Sequence, residues 1–170
     1  MLLTCHCALQ DAYYVDARVE DSPTSLTKFG IRGQLIQGYT TKVNTAEEVD
    51  KIEEDFVGSG TARIWFESGG SIMCIDATIK DFDPVLAHLH KGDFGKNGVQ
   101  LADLSSKRRA AGHYLGCGSL SELGVNESQR ATLAANFLAN PEDYYIQFHQ
   151  AKADKPEFHN AVRGQFEMPY

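Results

Sequence analysis

The chain has little of what would tie it to a membrane, a polyanion or a zinc knuckle. No apolar run in its 170 residues approaches the roughly 18 needed to cross a bilayer as a helix. Met1-Leu2-Leu3 leads straight into Thr4-Cys5-His6-Cys7 with no basic region, apolar stretch or cleavage site, so the start reads as neither membrane anchor nor signal peptide. Basic residues are the minority: 16 Lys and Arg stand against 23 Asp and Glu, for a net charge of −7, and no window interleaves basic with aromatic side chains. That balance argues against nucleic acid and other polyanions as partners. The four cysteines, Cys5, Cys7, Cys74 and Cys117, are too few for a disulfide scaffold at this length, and none forms a C-x-x-C pair. Cys5-His6-Cys7 alone leaves a tetrahedral site incomplete and is expected to pack rather than to bind metal.

What is present is an internal repeat. Tyr13-Tyr14 stands nineteen residues before Arg32-Gly33-Gln34, and Tyr144-Tyr145 stands nineteen residues before Arg163-Gly164-Gln165, so the two segments align without a gap at an offset of 131. Val15 falls opposite Ile146, Ile31 opposite Val162 and Leu35 opposite Phe166, whereas Arg18 replaces His149 and Lys28 replaces His159. Residues 1–38 thus form an extra strand pair copying the rear of the unit that occupies 39–170. The residues both copies keep, including Arg163, suit a structural role; the histidines that only the second copy carries suit chemistry.

Between the copies, Thr45-Ala46-Glu47-Glu48 has capping-box spacing and opens a short surface helix over 45–56. Residues 61–67 form a strand that turns at Gly69-Gly70 into another over 71–80, with Met73, Ile75 and Ala77 on one face and Ile72, Cys74 and Asp76 on the other. Further strands are expected over 85–90, 98–104, 114–121, 144–149 and 161–166, and a second helix over 127–138 closed by Asn140-Pro141. Short strands about ten residues apart with two short helices predict an all-β fold, an antiparallel sandwich or barrel of Greek-key type. Cys74 and Cys117 fall on separate strands, where a disulfide and two free buried thiols are both open.

Four segments in this order carry a resemblance: Gly60-Thr61-Ala62; Ala87-His88-Leu89-His90-Lys91-Gly92 followed by Asn97-Gly98; Tyr144-Tyr145-Ile146-Gln147-Phe148-His149; and Ala161-Val162-Arg163-Gly164-Gln165-Phe166. They resemble the chordin-type (CHRD) domain over about residues 30–168. Lys91 interrupts the family's usual His-to-Gly junction, and Phe158-His159-Asn160 replaces its usual Gly-Gly-Glu. The resemblance implies an all-β domain, commonly secreted and often in tandem, and no reaction.

The chemistry is therefore sought in the histidines. His88 and His90 lie two apart on a predicted strand and leave one face together, a spacing that suits two imidazoles on one ion. With His149 ending a second strand, they form the expected copper or zinc ligands; His159 and Arg163 are the additional candidates on or near a third. The order His88-Leu89-His90, Gly92-Asp93, Asn97-Gly98, His149 and a late Arg also resembles the copper site of copper/zinc superoxide dismutases, which implies a copper ion and an anion-steering role for Arg163, although no zinc-ligand cluster follows His90. Asp81, Asp83 and Asp93 are candidate acceptors for imidazole N–H groups. Two other classes stay open: an extracellular interaction module with structural histidines that binds a protein partner or itself, and a barrel holding or converting a small organic ligand. Asn126-Glu127-Ser128 fits the glycosylation sequon.

Overall fold

The structure, a computed structural model, describes residues 24–31, 34–44, 56–150 and 161–166. It begins with a hairpin of β1 (Thr24–Ile31) and β2 (Gln34–Asn44), and continues through β3 (Ser59–Glu67), β4 (Ile72–Lys80), β5 (Leu86–Lys91), β6 (Val99–Asp103), β7 (Arg108–Ala110) and β8 (His113–Ser119). Two short helices, α1 (Glu127–Arg130) and α2 (Leu133–Ala139), precede β9 (Tyr144–His149) and β10 (Ala161–Gln165). The strands hydrogen-bond in the order β6-β5-β9-β10-β2-β3-β4-β8-β7, with β1 beside β2. Every pairing is antiparallel.

The path is thinnest between β10 and β2, which share the single register pair Arg163↔Asn44. There the ladder doubles over. Tyr114 of β8 meets Phe148 of β9 edge-on at 5.1 Å, although the two strands are far apart along the path. Phe66 of β3 and Phe166 after β10 both pack on Phe137 of α2, at 5.6 and 5.1 Å. The result is an all-β sandwich, β6-β5-β9-β10 over β2-β3-β4-β8-β7, with the core between its layers.

Alternation explains the layers. On β3, Ala62, Ile64 and Phe66 are buried while Arg63 and Trp65 are half-buried on the other face; on β4, Met73, Ile75, Ala77 and Ile79 point into the core. Each large aliphatic side chain fully buried here stabilises by about 1.5–3 kcal/mol. Gly60 stands opposite Ile79, and a Cβ there would strike the Thr78 carbonyl oxygen, so the early Gly-Thr-Ala segment marks a close strand crossing. The Cys74 and Cys117 thiols are joined in a disulfide between directly opposed residues of β4 and β8. An extracytoplasmic, oxidising compartment fits such a bond.

Three expectations change or fall outside this description. The helix expected over 127–138 is broken into α1 and α2 at Ala131–Thr132. Thr132 has φ −121°, Arg130 Nε donates back to the Val125 carbonyl, and the break lets α2 turn Leu133 and Phe137 into the core while α1 buries nothing. The helix expected over 45–56 lies outside the described residues except for Phe56, which meets Phe82 edge-on at 4.9 Å. The repeat anchors Tyr13, Tyr14, Arg32 and Gly33 also lie outside them.

Candidate functional site

Strand β9 is covered on both faces: all six residues are buried, its outward-facing Tyr145, Gln147 and His149 as well as its core-facing side chains. β5 runs antiparallel beside it with Leu86 opposite His149, His88 opposite Gln147 and His90 opposite Tyr145. This register sets His88 diagonally across from His149. His149 Nε2 lies 3.0 Å from His88 Nδ1, with the ring centroids 4.9 Å apart. The His149 Nδ1 sits 3.2 Å from the Gln150 carbonyl oxygen. A carbonyl only accepts, so Nδ1 carries the proton, Nε2 accepts, and His88 Nδ1–H is the donor between the rings.

The outer nitrogen of His88 faces a carboxylate at longer range. Asp103 stands opposite His88 in the β5–β6 register, and its Oδ1 is 3.8 Å from His88 Nε2. Burial pushes the Asp103 carboxyl up, but hydrogen bonds from Ser105 and the nearby His88 and His149 outweigh it and leave the group below its ordinary value, ionised at neutral pH. The pair is thus two imidazoles whose inner nitrogens face each other and whose outer nitrogens face a carbonyl and a carboxylate. His88 has a side-chain exposure of 12%, so the site lies at the rim of the layer.

His90 shares the face of His88, with ring centroids 5.9 Å apart, but is turned elsewhere. It stacks on Tyr145 at 4.7 Å and 11° between planes, and its Nδ1 is 3.4 Å from the Gly98 carbonyl. Among the described residues, the one group of three or more His, Cys, Asp or Glu side chains whose ligand atoms all lie within 4.8 Å of one another is Glu67, Cys74 and Cys117, and its sulfurs are bonded to each other. The structure therefore brings His88 and His149 together and leaves His90 one step away. His159 lies outside the described residues, as do Cys5, His6 and Cys7.

Arg163 is buried at 1% exposure and works on the Gly-rich loop that follows β5. Its guanidinium donates to the Lys96 carbonyl at 2.8 Å, the Asp93 carbonyl at 3.0 Å and Gln165 Oε1 at 3.0 Å, and covers the Tyr145 ring at 3.5 Å. Gln165 Nε2 donates to the Gly92 and Glu142 carbonyls at 2.9 and 2.7 Å. Tyr145 lies on the strand between β5 and β10, so it is held by Arg163 on one side and supports His90 on the other, while its hydroxyl accepts from Gly98 N–H at 3.0 Å. Gly98 has to be glycine, because a Cβ would collide with the Lys91 carbonyl. The Arg-Gly-Gln strand is thus a clamp that fixes the loop and, through Tyr145, His90.

The carboxylate beside His88 is not one of the three expected from sequence. Asp83 binds Arg108 and the Gly112 N–H, Asp93 binds Lys96, and Asp81 accepts from Ser59. Asp103 takes their place. The β-bulge between Leu89 and His90 shifts the hairpin register, which hides the His88–Asp103 opposition from simple counting.

The described residues thus form an antiparallel sandwich with a histidine pair at the β5–β9 seam and an Arg-Gly-Gln clamp over the β5–β6 loop. Residues 39–166 match the family model described as the CHRD domain, and the chain belongs to that family. No curated protein and no solved structure gives a significant match.

Proposed function

We propose that this CHRD domain binds one transition-metal ion through His88 Nδ1 and His149 Nε2, with His90 as the third ligand. The observation that carries the reading is the 3.0 Å approach of those two nitrogens, with the other nitrogen of His149 held by the Gln150 carbonyl and that of His88 facing the Asp103 carboxylate. An ion about 2.0–2.1 Å from both would see them at an angle of ~94°. A right angle between cis nitrogens suits tetragonal Cu(II), whereas tetrahedral Zn(II) asks them to spread by about 0.4 Å. When the ion takes Nδ1 of His88, the ring proton moves to Nε2, toward Asp103, which supplies the carboxylate–histidine–metal arrangement that orients ligands. His90 reaches the ion by leaving its stack on Tyr145.

The experiment is metal titration of the full chain, purified without a histidine tag, using Cu(II) and Zn(II) separately. One equivalent is expected to bind, with Cu(II) tighter. Asp103→Asn is expected to weaken it by about 10–100-fold. A protein that takes up neither ion after loading overturns the reading and leaves the pair as a hydrogen bond that ties β5 to β9.

A second reading, a secreted module that docks on a protein partner or on its own copy, is favoured by Phe94 and Val99. These stand 67% and 69% exposed on the clamped loop and the edge strand β6. Association that persists in a Phe94→Ser, Val99→Ser variant would count against those residues as its contact.

A further inference from the structure

We infer that Asn126 is an N-glycosylation site, with a lipid diphosphate-linked oligosaccharide as donor. The tripeptide Asn126-Glu127-Ser128 is the one Asn-x-Ser/Thr sequence in the 170 residues. A tripeptide by itself says little, because many such matches are buried or rigidly built into strands. This one is neither. Asn126, Glu127 and Ser128 are all exposed, and the helix they open, α1, buries no side chain, so a glycan there displaces nothing from the core.

The local geometry also presents the reacting atom. Asn126 Oδ1 accepts from the Ser128 N–H at 3.1 Å and from the Ser128 hydroxyl at 3.0 Å, an Asx turn that caps α1. Both hydrogen bonds fall on the oxygen, so neither occupies Nδ2 of the exposed Asn126. The motif's hydroxyl already lies against the amide it serves. The Cys74–Cys117 bridge adds an independent link to the oxidising compartment where such transfer takes place.

In the transfer, Nδ2 forms a bond to C1 of the first sugar, the C1–oxygen bond to the lipid diphosphate breaks, and the diphosphate leaves as an anion. Nδ2 gives up one proton to a base of the transferase. No electrons are exchanged. The finished amide still carries Oδ1, so the cap of α1 survives modification.

The test is expression of the full chain behind a secretion leader in a eukaryotic host, read by intact mass and peptide mapping. The expected result is a glycosylated chain that loses its glycan on treatment with peptide N-glycosidase, with Asn126 converted to Asp. Ser128→Thr is expected to raise the occupied fraction. Asn126→Asp keeps an acceptor at the cap and removes the amide, and Ser128→Ala keeps Asn126 and removes the hydroxyl. Both are expected to be secreted in folded form without glycan. Wild-type chain secreted with Asn126 unmodified would overturn the inference, as would a glycan that persists in both variants.

Discussion

Replacing Arg163 with Ala tests whether the Arg-Gly-Gln strand is a clamp. The side chain is 1% exposed and donates three hydrogen bonds at 2.8–3.0 Å while covering the Tyr145 ring at 3.5 Å. The Lys96 and Asp93 carbonyls lie on an exposed loop and regain water in the variant, so their bonds count at about 1 kcal/mol each. The bond to buried Gln165 and the desolvated cation–π contact contribute about 1–2 kcal/mol each. Relief from holding a guanidinium out of water returns part of this sum. The net loss is expected at about 3 kcal/mol, or a melting point lower by roughly 6–12 °C for a domain of this size. Arg163→Lys is expected to recover less than half, since an ammonium can neither fork between two carbonyls nor stack flat on the ring. The assay is urea unfolding with hydrogen exchange of the 92–98 amides, which should exchange faster in both variants. A variant within about 1 kcal/mol of wild type and unchanged loop protection would refute the clamp.

Other perturbations have equally direct readouts. The Cys74–Cys117 bridge spans 43 residues, and in the chain-entropy account removing it by Cys74→Ala, Cys117→Ala costs about 4 kcal/mol; a loss under 1 kcal/mol by urea unfolding would contradict that. The Arg108 hydrogen bond, with help from the Gly112 N–H, holds the Asp83 carboxyl below its ordinary 3.8, so the stability it contributes is present above that pH and is lost as pH falls through the lower folded value. Asp83→Asn should therefore flatten the acid side of the stability–pH curve, and an unchanged slope below pH 4 would count against it.

Most of the sandwich is legible in the residues because period-2 alternation is strict where one face is wet. Ile75, Ala77 and Ile79 against Asp76, Thr78 and Lys80 on β4 is an example. The same period puts His88 and His90 on one face. What the sequence does not carry is register between distant strands. Nothing local decides that Cys117 falls opposite Cys74, or that His149 comes diagonal to His88 rather than level with it. Asp103 is hidden by a bulge, and His90 is drawn away by a Tyr145 that is itself fixed from β10. The split of α1 from α2 follows from where Phe137 has to point, which helix propensity does not encode. Arg163 is an intermediate case: its twin Arg32 signals a structural role, while the carbonyls it holds emerge only in the fold.

The measurement that bears most directly on the metal reading is Cu(II) titration of the tag-free full chain alongside His88→Ala, His149→Ala, His90→Ala and the exposed control His113→Ala. One equivalent is expected for wild type and for His113→Ala, with nitrogen coupling in the copper spectrum. His88→Ala and His149→Ala are expected to lose at least about tenfold in affinity, some 1.4 kcal/mol, and His90→Ala less, because that ring has first to leave Tyr145. Equal binding by all four variants, or none by the wild type, would contradict the assignment of the His88–His149 pair.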